Sequence, residues 1–258
     1  MVTARDRRCG PGGGARDVRR VITLSTFRRL EQASGWLFDR LGGEYRCRGL
    51  RFSVPAELTR RGFRGRFLLG LYELPERRLL RHLPADATLL DLGGCLGVVS
   101  CLANRRLRDP ARHVVVEANP ALLPVLAHNR NRNGAHFSIL HGMAGGSGCF
   151  WPGGNIVAGS AHRPRGTPLS VPVLNLDEVE ARHGVAFDAY LIDIEGGEAE
   201  FMAAQAARIA RARFVLVEFH PSFIGKPACD AARQQLAAAG LVRRGRVFDA
   251  EAWIRPGS

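Results

Sequence analysis

Lysine is almost missing from this chain. Of 37 lysines and arginines only Lys226 is a lysine, an imbalance that reflects GC-rich codon usage better than selection for phosphate contacts. No apolar run approaches the ~20 residues a membrane-spanning helix needs. The opening residues, "MVTARDRRCGPGGGARDVRR", place no apolar stretch after their basic residues, so no secretory signal is expected. The six cysteines (9, 47, 95, 101, 149 and 229) form neither a CxxC pair nor a disulfide framework. Reduced thiols in a cytoplasmic protein are the expectation.

The charge that is present is lopsided. Residues 1–82 carry 19 arginines against 8 acids, whereas residues 83–258 carry 18 basic against 16 acidic residues. A net charge of +13 invites a nucleic-acid partner. The near-neutral remainder weakens that reading, and a solvated arginine-rich face is favoured.

Three regions follow from composition and periodicity. Residues 1–20, rich in Gly and Arg, read as a disordered basic tail. Residues 21–85 read as a helical and extended segment packing on the core, with an amphipathic helix over 21–41, an extended pair in "YRCRGLRFSVP" and a helix in "GLYELPERRLLRHL". Residues 86–258 form the main domain. There continuous apolar strands such as "TLLDLG", "HVVVEAN", "DAYLIDIEG" and "RFVLVEFHP" alternate with amphipathic helices. That alternation predicts an α/β fold: a doubly wound, mostly parallel, Rossmann-like sheet with helices on both faces. "LVRRGRVFD" and "EAWIRP" would close it as an antiparallel edge pair at the C-terminus.

Ligands of such sheets bind beyond the carboxyl ends of the strands. Those ends carry Asp91, Glu117, the His141–Ala144 turn, Asp193 with Glu195, and Glu218 with His220. Buried carboxylates are costly without partners, so several on one edge outline a cleft. In "LLDLGGCLGVVS" the glycines 93, 94 and 97 make a tight strand-to-helix turn that lets a ligand approach the backbone. Asp91 beside that turn would repel a pyrophosphate but suit a cationic amino-acid moiety. Glu117, 24 residues after Gly93, is placed to hold the hydroxyls of an adenosine ribose. Its bland alternative is a helix cap, a task Asn119 can perform instead.

These motifs, with "VVVEANPALLPVLAHNRNRNG", "VLNLDEVEARHGVAFDAYLIDIEGGEAEFM" and "FVLVEFHP", resemble in order and spacing the FkbM-type S-adenosylmethionine-dependent methyltransferases, a class I methyltransferase family. The resemblance covers about residues 68–225. It implies S-adenosylmethionine as cofactor and O-methyl transfer to a hydroxyl of a saccharide or secondary metabolite. It further implies that Asp91, Gly93, Gly94 and Cys95 line the cofactor's methionine end, that Glu117 binds the ribose, and that Ala118 contributes mainly backbone to the cofactor site. Met143 and Ala144 would flank the adenine, and Tyr72 and Glu73 would close over the site. Asp193 and His220 are the candidate catalytic residues. The chain departs from the family pattern at Cys95 (asparagine), Ala118 (proline) and Leu191 (lysine).

Alternatives remain at this stage. A nicotinamide oxidoreductase would share the glycine turn and Glu117 but leave Asp91 and "IDIEGGE" unexplained. An RNA methyltransferase would use the basic N-terminal third. A domain that binds the cofactor without turnover is suggested by Leu191. Cys95 reads as a small packing residue, Glu195 and Glu198 as helix-opening acids, and His162 as a loop residue within a substrate's reach. A divalent metal between Asp193 and Glu218 is poorly supported by two acids on separate strands, and no metal is expected. The oligomeric state is not legible.

Overall fold

A computed structural model describes residues 24–164 and 166–257. The tail expected over residues 1–20 lies outside them. The first face of the fold is built early in the chain. Helix α1 (Leu24–Arg40) is followed by the antiparallel pair β1 (Glu44–Cys47) and β2 (Leu50–Ser53), then by α2 (Arg61–Leu68) and α3 (Leu74–Leu79). Helix α2 was not anticipated, because Gly62 and Gly65 dilute its apolar pattern. Gly35 explains how α1 and α2 come so close: a Cβ there would stand 1.9 Å from the carbonyl oxygen of Arg61. Phe38, Tyr45, Phe52, Phe67 and Tyr72 interlock behind these elements, with Phe67 and Tyr72 stacked at 4.3 Å.

The main sheet then alternates as expected: β3 (Leu89–Leu92), α4 (Val98–Asn104), β4 (His113–Glu117), α5 (Leu123–Arg132) and β5 (Ser138–His141). A long connection holds the short pair β6 (Cys149–Phe150) and β7 (Leu169–Ser170). The chain resumes with α6 (Leu176–His183), β8 (Ala189–Ile192), α7 (Glu198–Ala204), α8 (Ala206–Arg211), β9 (Phe214–Glu218) and α9 (Pro221–Ala238), and closes with β10 (Val242–Val247) and β11 (Ala250–Ile254). Two helices differ from the sequence expectation. The run from Glu198 is broken at Gln205 into α7 and α8. Helix α9 begins eight residues before Cys229, across a non-helical Gly225 and Pro227, whose local chemistry hides the earlier turn.

The seven strands lie in the order β10-β11-β9-β8-β3-β4-β5; β9, β8, β3, β4 and β5 run parallel, and β11 pairs antiparallel with both β9 and β10. The result is the expected doubly wound, mostly parallel, Rossmann-like sheet with helices on both faces. Side chains alternate across the sheet. Leu89, Val115, Leu191 and Leu216 face the N-terminal elements, whereas Leu90, Val116, Ile192 and Val217 face the layer that includes α6 and α9. The winding reverses between β3 and β8, so the carboxyl ends of those two strands flank the crevice where such sheets take ligands. No helix among the described residues is long and apolar enough to cross a membrane.

Candidate functional site

A cleft opens at that reversal point, the place where such sheets take small-molecule ligands. Its floor is the pair of strand ends at β3 and β8. A Cβ on Gly93 would stand 1.9 Å from the carbonyl oxygen of Asp193, so only glycine lets the two ends close on each other. Gly93 and Gly94 both donate to the carbonyl oxygen of Val116, which ties the turn to β4. Cys95 follows with φ of 45°, in the left-handed region where Asn and Gly are favoured.

Glu117 fixes this turn from the next strand. Its Oε2 accepts the backbone N–H of Cys95 at 2.8 Å, and its Oε1 accepts that of Asn119 at 2.7 Å. Asn119 in turn caps the following turn by accepting from Ala121. Burial raises the Glu117 carboxyl above its ordinary value, against the lowering effect of those backbone donors. Each oxygen keeps a lone pair for a ligand hydroxyl.

Backbone strain converges on the same cleft. Among the described residues five non-glycines have positive φ, and three of them, Glu73, Cys95 and Glu195, line it. Such conformations cost of order 1–3 kcal/mol each and persist where the surroundings impose them.

Of the cofactor-binding and catalytic candidates that the resemblance implies, Glu73, Gly93, Cys95, Glu117, Ala118, Met143, Ala144 and Asp193 line the cleft. Four do not. Asp91 points to the opposite side of its strand, where its buried carboxylate accepts from Ser100 at 2.6 Å with His113 at 3.8 Å. Strand alternation therefore turns its side chain away from the cleft. Gly94 packs inward, with Val115 and Leu126 against its Cβ direction. Tyr72 is buried behind the turn, its hydroxyl donating to the Cys95 sulfur at 3.3 Å. His220 stands behind Asp193 and Glu195 rather than on the wall.

The acidic edge is more elaborate than the sequence suggested. Helix α7 opens with Glu198, whose side chain is wholly buried. One of its oxygens accepts both the backbone N–H of Gly196 at 2.9 Å and His220 Nδ1 at 2.8 Å. His220 also stacks on Phe223. Burial pulls the imidazole down, but the bonded Glu198 carboxylate, with Glu195 and Glu218 nearby, raises it to about 9. Burial and the charge of Glu218 hold the Asp193 carboxyl well above the ordinary range. Glu195 is pushed up to about 7 by burial, partly countered by His220. Cys95 is likewise raised well above its ordinary value by burial and by Glu73 and Glu117, which suits a packed thiol and not a nucleophile.

Sequence reading missed several wall residues. Phe150, Ile156 and Val157 reach the cleft from the long β5–β7 connection, together with His162, which had been singled out only by its loop position. Phe201 and Glu200 come from the first turn of α7. Leu191, where the family pattern has lysine, is buried and lies in register with Asp91. Ser100 and His113 meet the carboxylate that a lysine there would face.

The family model described as the methyltransferase FkbM domain matches residues 91–242. Among curated proteins none matches this chain. Solved structures similar to it include the precorrin-6y C5,15-methyltransferase of Geobacter metallireducens, 15% identical over 79% of this chain and 94% of that one, with a TM-score of 0.44. The O-methyltransferase of Bacillus cereus in complex with SAH is 12% identical over 92% of this chain and 94% of that one, TM-score 0.42. Aeropyrum pernix fibrillarin with natively bound S-adenosyl-L-methionine is 16% identical over 72% and 69%, TM-score 0.40.

Proposed function

The chain belongs to the FkbM methyltransferase family, whose cofactor is S-adenosylmethionine, and on that premise we propose that it methylates a hydroxyl of a saccharide or small secondary metabolite. The observation that carries the reading is the buried Glu117 at the end of β4, on the wall of a cleft bounded by a turn in which a Cβ does not fit. A carboxylate already anchored by two backbone donors keeps acceptor capacity for a vicinal diol. Apolar Leu92, Val116, Met143 and Phe150 nearby offer a surface for a flat base. The residues present therefore fit the cofactor.

When bound, S-adenosylmethionine supplies an activated methyl group. The chain's own contribution is placement and proton handling. Glu117, Ala118, Met143 and Ala144 would hold the adenosine half, while Gly93 and Cys95 would border the other half. Asp91, Gly94 and Tyr72 act from behind the wall by fixing the turn. Holding the acceptor in line with the methyl group supplies much of the rate. Asp193 faces the acceptor and, with Glu195, receives the proton a hydroxyl loses. His220 acts through those two acids.

The acceptor class follows from the groups that line the cleft. Glu73, Asp193, Glu195 and Glu200 line it as hydrogen-bonding carboxyls, and no arginine or lysine stands among its described lining residues to hold a polyphosphate backbone, which favours a neutral polyol. On this reading residues 86–258 form the methyltransferase domain, with residues 24–85 laid over its first face. The test is incubation with tritium-labelled methyl donor and separate pools of oligosaccharides, small hydroxylated metabolites and RNA. Base-stable label in a neutral hydroxylated acceptor is the expected result. Label confined to RNA, or in no hydroxylated acceptor, contradicts it.

A further inference from the structure

We propose that Asp193, Glu195 and His220 form a binding site for one divalent first-row transition-metal ion. One donor atom from each lies within 4.8 Å of the other two. His220 Nε2 is 3.8 Å from Asp193 Oδ1 and 3.5 Å from Glu195 Oε2. Those separations are too long for charge-assisted hydrogen bonds, which fall near 2.7–2.9 Å. They suit donors around a common ion: bonds of ~2.1 Å at tetrahedral angles separate their donors by about 3.4 Å.

Two further features point to a ligand at this place. Asp193 Oδ1 has no hydrogen-bond partner in the protein although the atom itself is covered, while the rest of its side chain, about one-third exposed, opens to the cleft. Its nearest cationic group is the imidazole, which is too far away to satisfy it. Glu198 supplies the second feature. Wholly buried, it takes the His220 Nδ1 proton at 2.8 Å and is itself held by the Gly196 N–H, while its other oxygen has no partner. This carboxylate–imidazole pair fixes the tautomer with Nε2 toward the two acids, the arrangement by which proteins orient a metal-binding histidine. A helix-opening acid needs only an exposed position near the backbone donors; burial against a ring nitrogen serves a different purpose.

The donor set of one nitrogen and two carboxylates suits Mn(II), Fe(II), Co(II) or Zn(II) rather than a soft ion. Three protein ligands leave coordination positions open. Because Asp193 and Glu195 line the cleft, those positions face it. The ligand they would take is an oxygen of the acceptor, whose hydroxyl a bound cation would acidify. That last step rests on the methyltransferase reading, whereas ion binding does not.

Sequence spacing concealed this triad, because its members come from the end of β8 and the start of α9, and the orienting Glu198 reads as an ordinary first-turn acid. The test is titration of chelator-treated full-length protein with Mn(II), following loss of the free-ion paramagnetic resonance signal. One equivalent per chain is expected. Binding should weaken at least tenfold in Asp193→Asn and His220→Gln, and about tenfold in Glu198→Gln, each with a retained cooperative unfolding transition. Glu200→Gln, on the same wall, should bind as wild type. Absence of a stoichiometric site in the wild type, or equal binding by folded Asp193→Asn and Glu195→Gln variants, overturns the proposal. Calorimetry with S-adenosylhomocysteine on the same samples keeps the two readings apart. Homocysteine-nucleoside binding without Mn(II) binding removes the ion alone, and the reverse removes the cofactor assignment alone.

Discussion

Glu117 accepts the backbone N–H of Cys95 at 2.8 Å, so the last residue of β4 holds the left-handed turn that follows β3. The residue expected to bind ribose is therefore also a structural clamp on the turn it faces. Neighbouring strand ends are locked to one another before any ligand arrives, which is preorganisation in its simplest form.

Cys95 tests the turn. At φ of 45° an asparagine is tolerated better than most residues, and a β-branched side chain is strained. Cys95→Asn should keep stability within ~1 kcal/mol, whereas Cys95→Val should lose about 1–3 kcal/mol. Urea unfolding of the two variants checks this. Equal stability would show that the turn is not constrained at this residue.

Glu73 sets a pH dependence. Burial pushes its carboxyl from 4.5 up to about 7. The folded protein then binds this proton more tightly than the unfolded chain, so stability falls as pH rises from 4.5 to 7 and is level above. At about 1.4 kcal/mol for each tenfold change in acidity, the loss is at most about 3 kcal/mol. Glu73→Gln should remove this part of the fall in thermal midpoint between pH 5 and pH 8. A variant whose midpoint falls as steeply as wild type would contradict the assignment.

Asp193 separates binding from chemistry. Asp193→Asn keeps the shape of the strand end and removes the carboxyl that would take the acceptor's proton. Turnover should fall by roughly 100-fold or more, while the dissociation constant for S-adenosylhomocysteine changes less than threefold. Steady-state kinetics beside calorimetry measures both. A parallel loss of cofactor binding would make Asp193 a cofactor ligand.

Leu191 is a packing residue on this account. It is 3% exposed and sits between Asp91 and Leu216 in the sheet register. Leu191→Ala should cost about 2–5 kcal/mol in stability and leave cofactor affinity unchanged in the folded protein. Loss of affinity without loss of stability would restore a functional role at this position.

The parallel sheet and its antiparallel edge pair were largely legible because each central strand is a continuous apolar run closed by an acid or glycine. The register of Asp91 was not. A single strand-end acid faces one side or the other by parity alone, and the face became clear only from its contact with Ser100. Glu198 was hidden for a related reason: an acid in the first turn of a helix reads as dipole compensation, and its burial against His220 depends on how α7 meets α9. Phe150, Ile156 and Val157 lie in a connection rich in Gly and Pro with no period to read. Leu191 shows the converse, since its position in the motif was plain while its partner proved to be Asp91.

The central claim is that this cleft binds S-adenosylmethionine through Glu117. Calorimetry of the full chain with S-adenosylhomocysteine measures it directly. Wild type should bind one equivalent, and Glu117→Ala should bind at least tenfold more weakly, a loss of about 1.4 kcal/mol or more, while retaining a cooperative unfolding transition. No binding by the wild type, or undiminished binding by Glu117→Ala, would contradict the account.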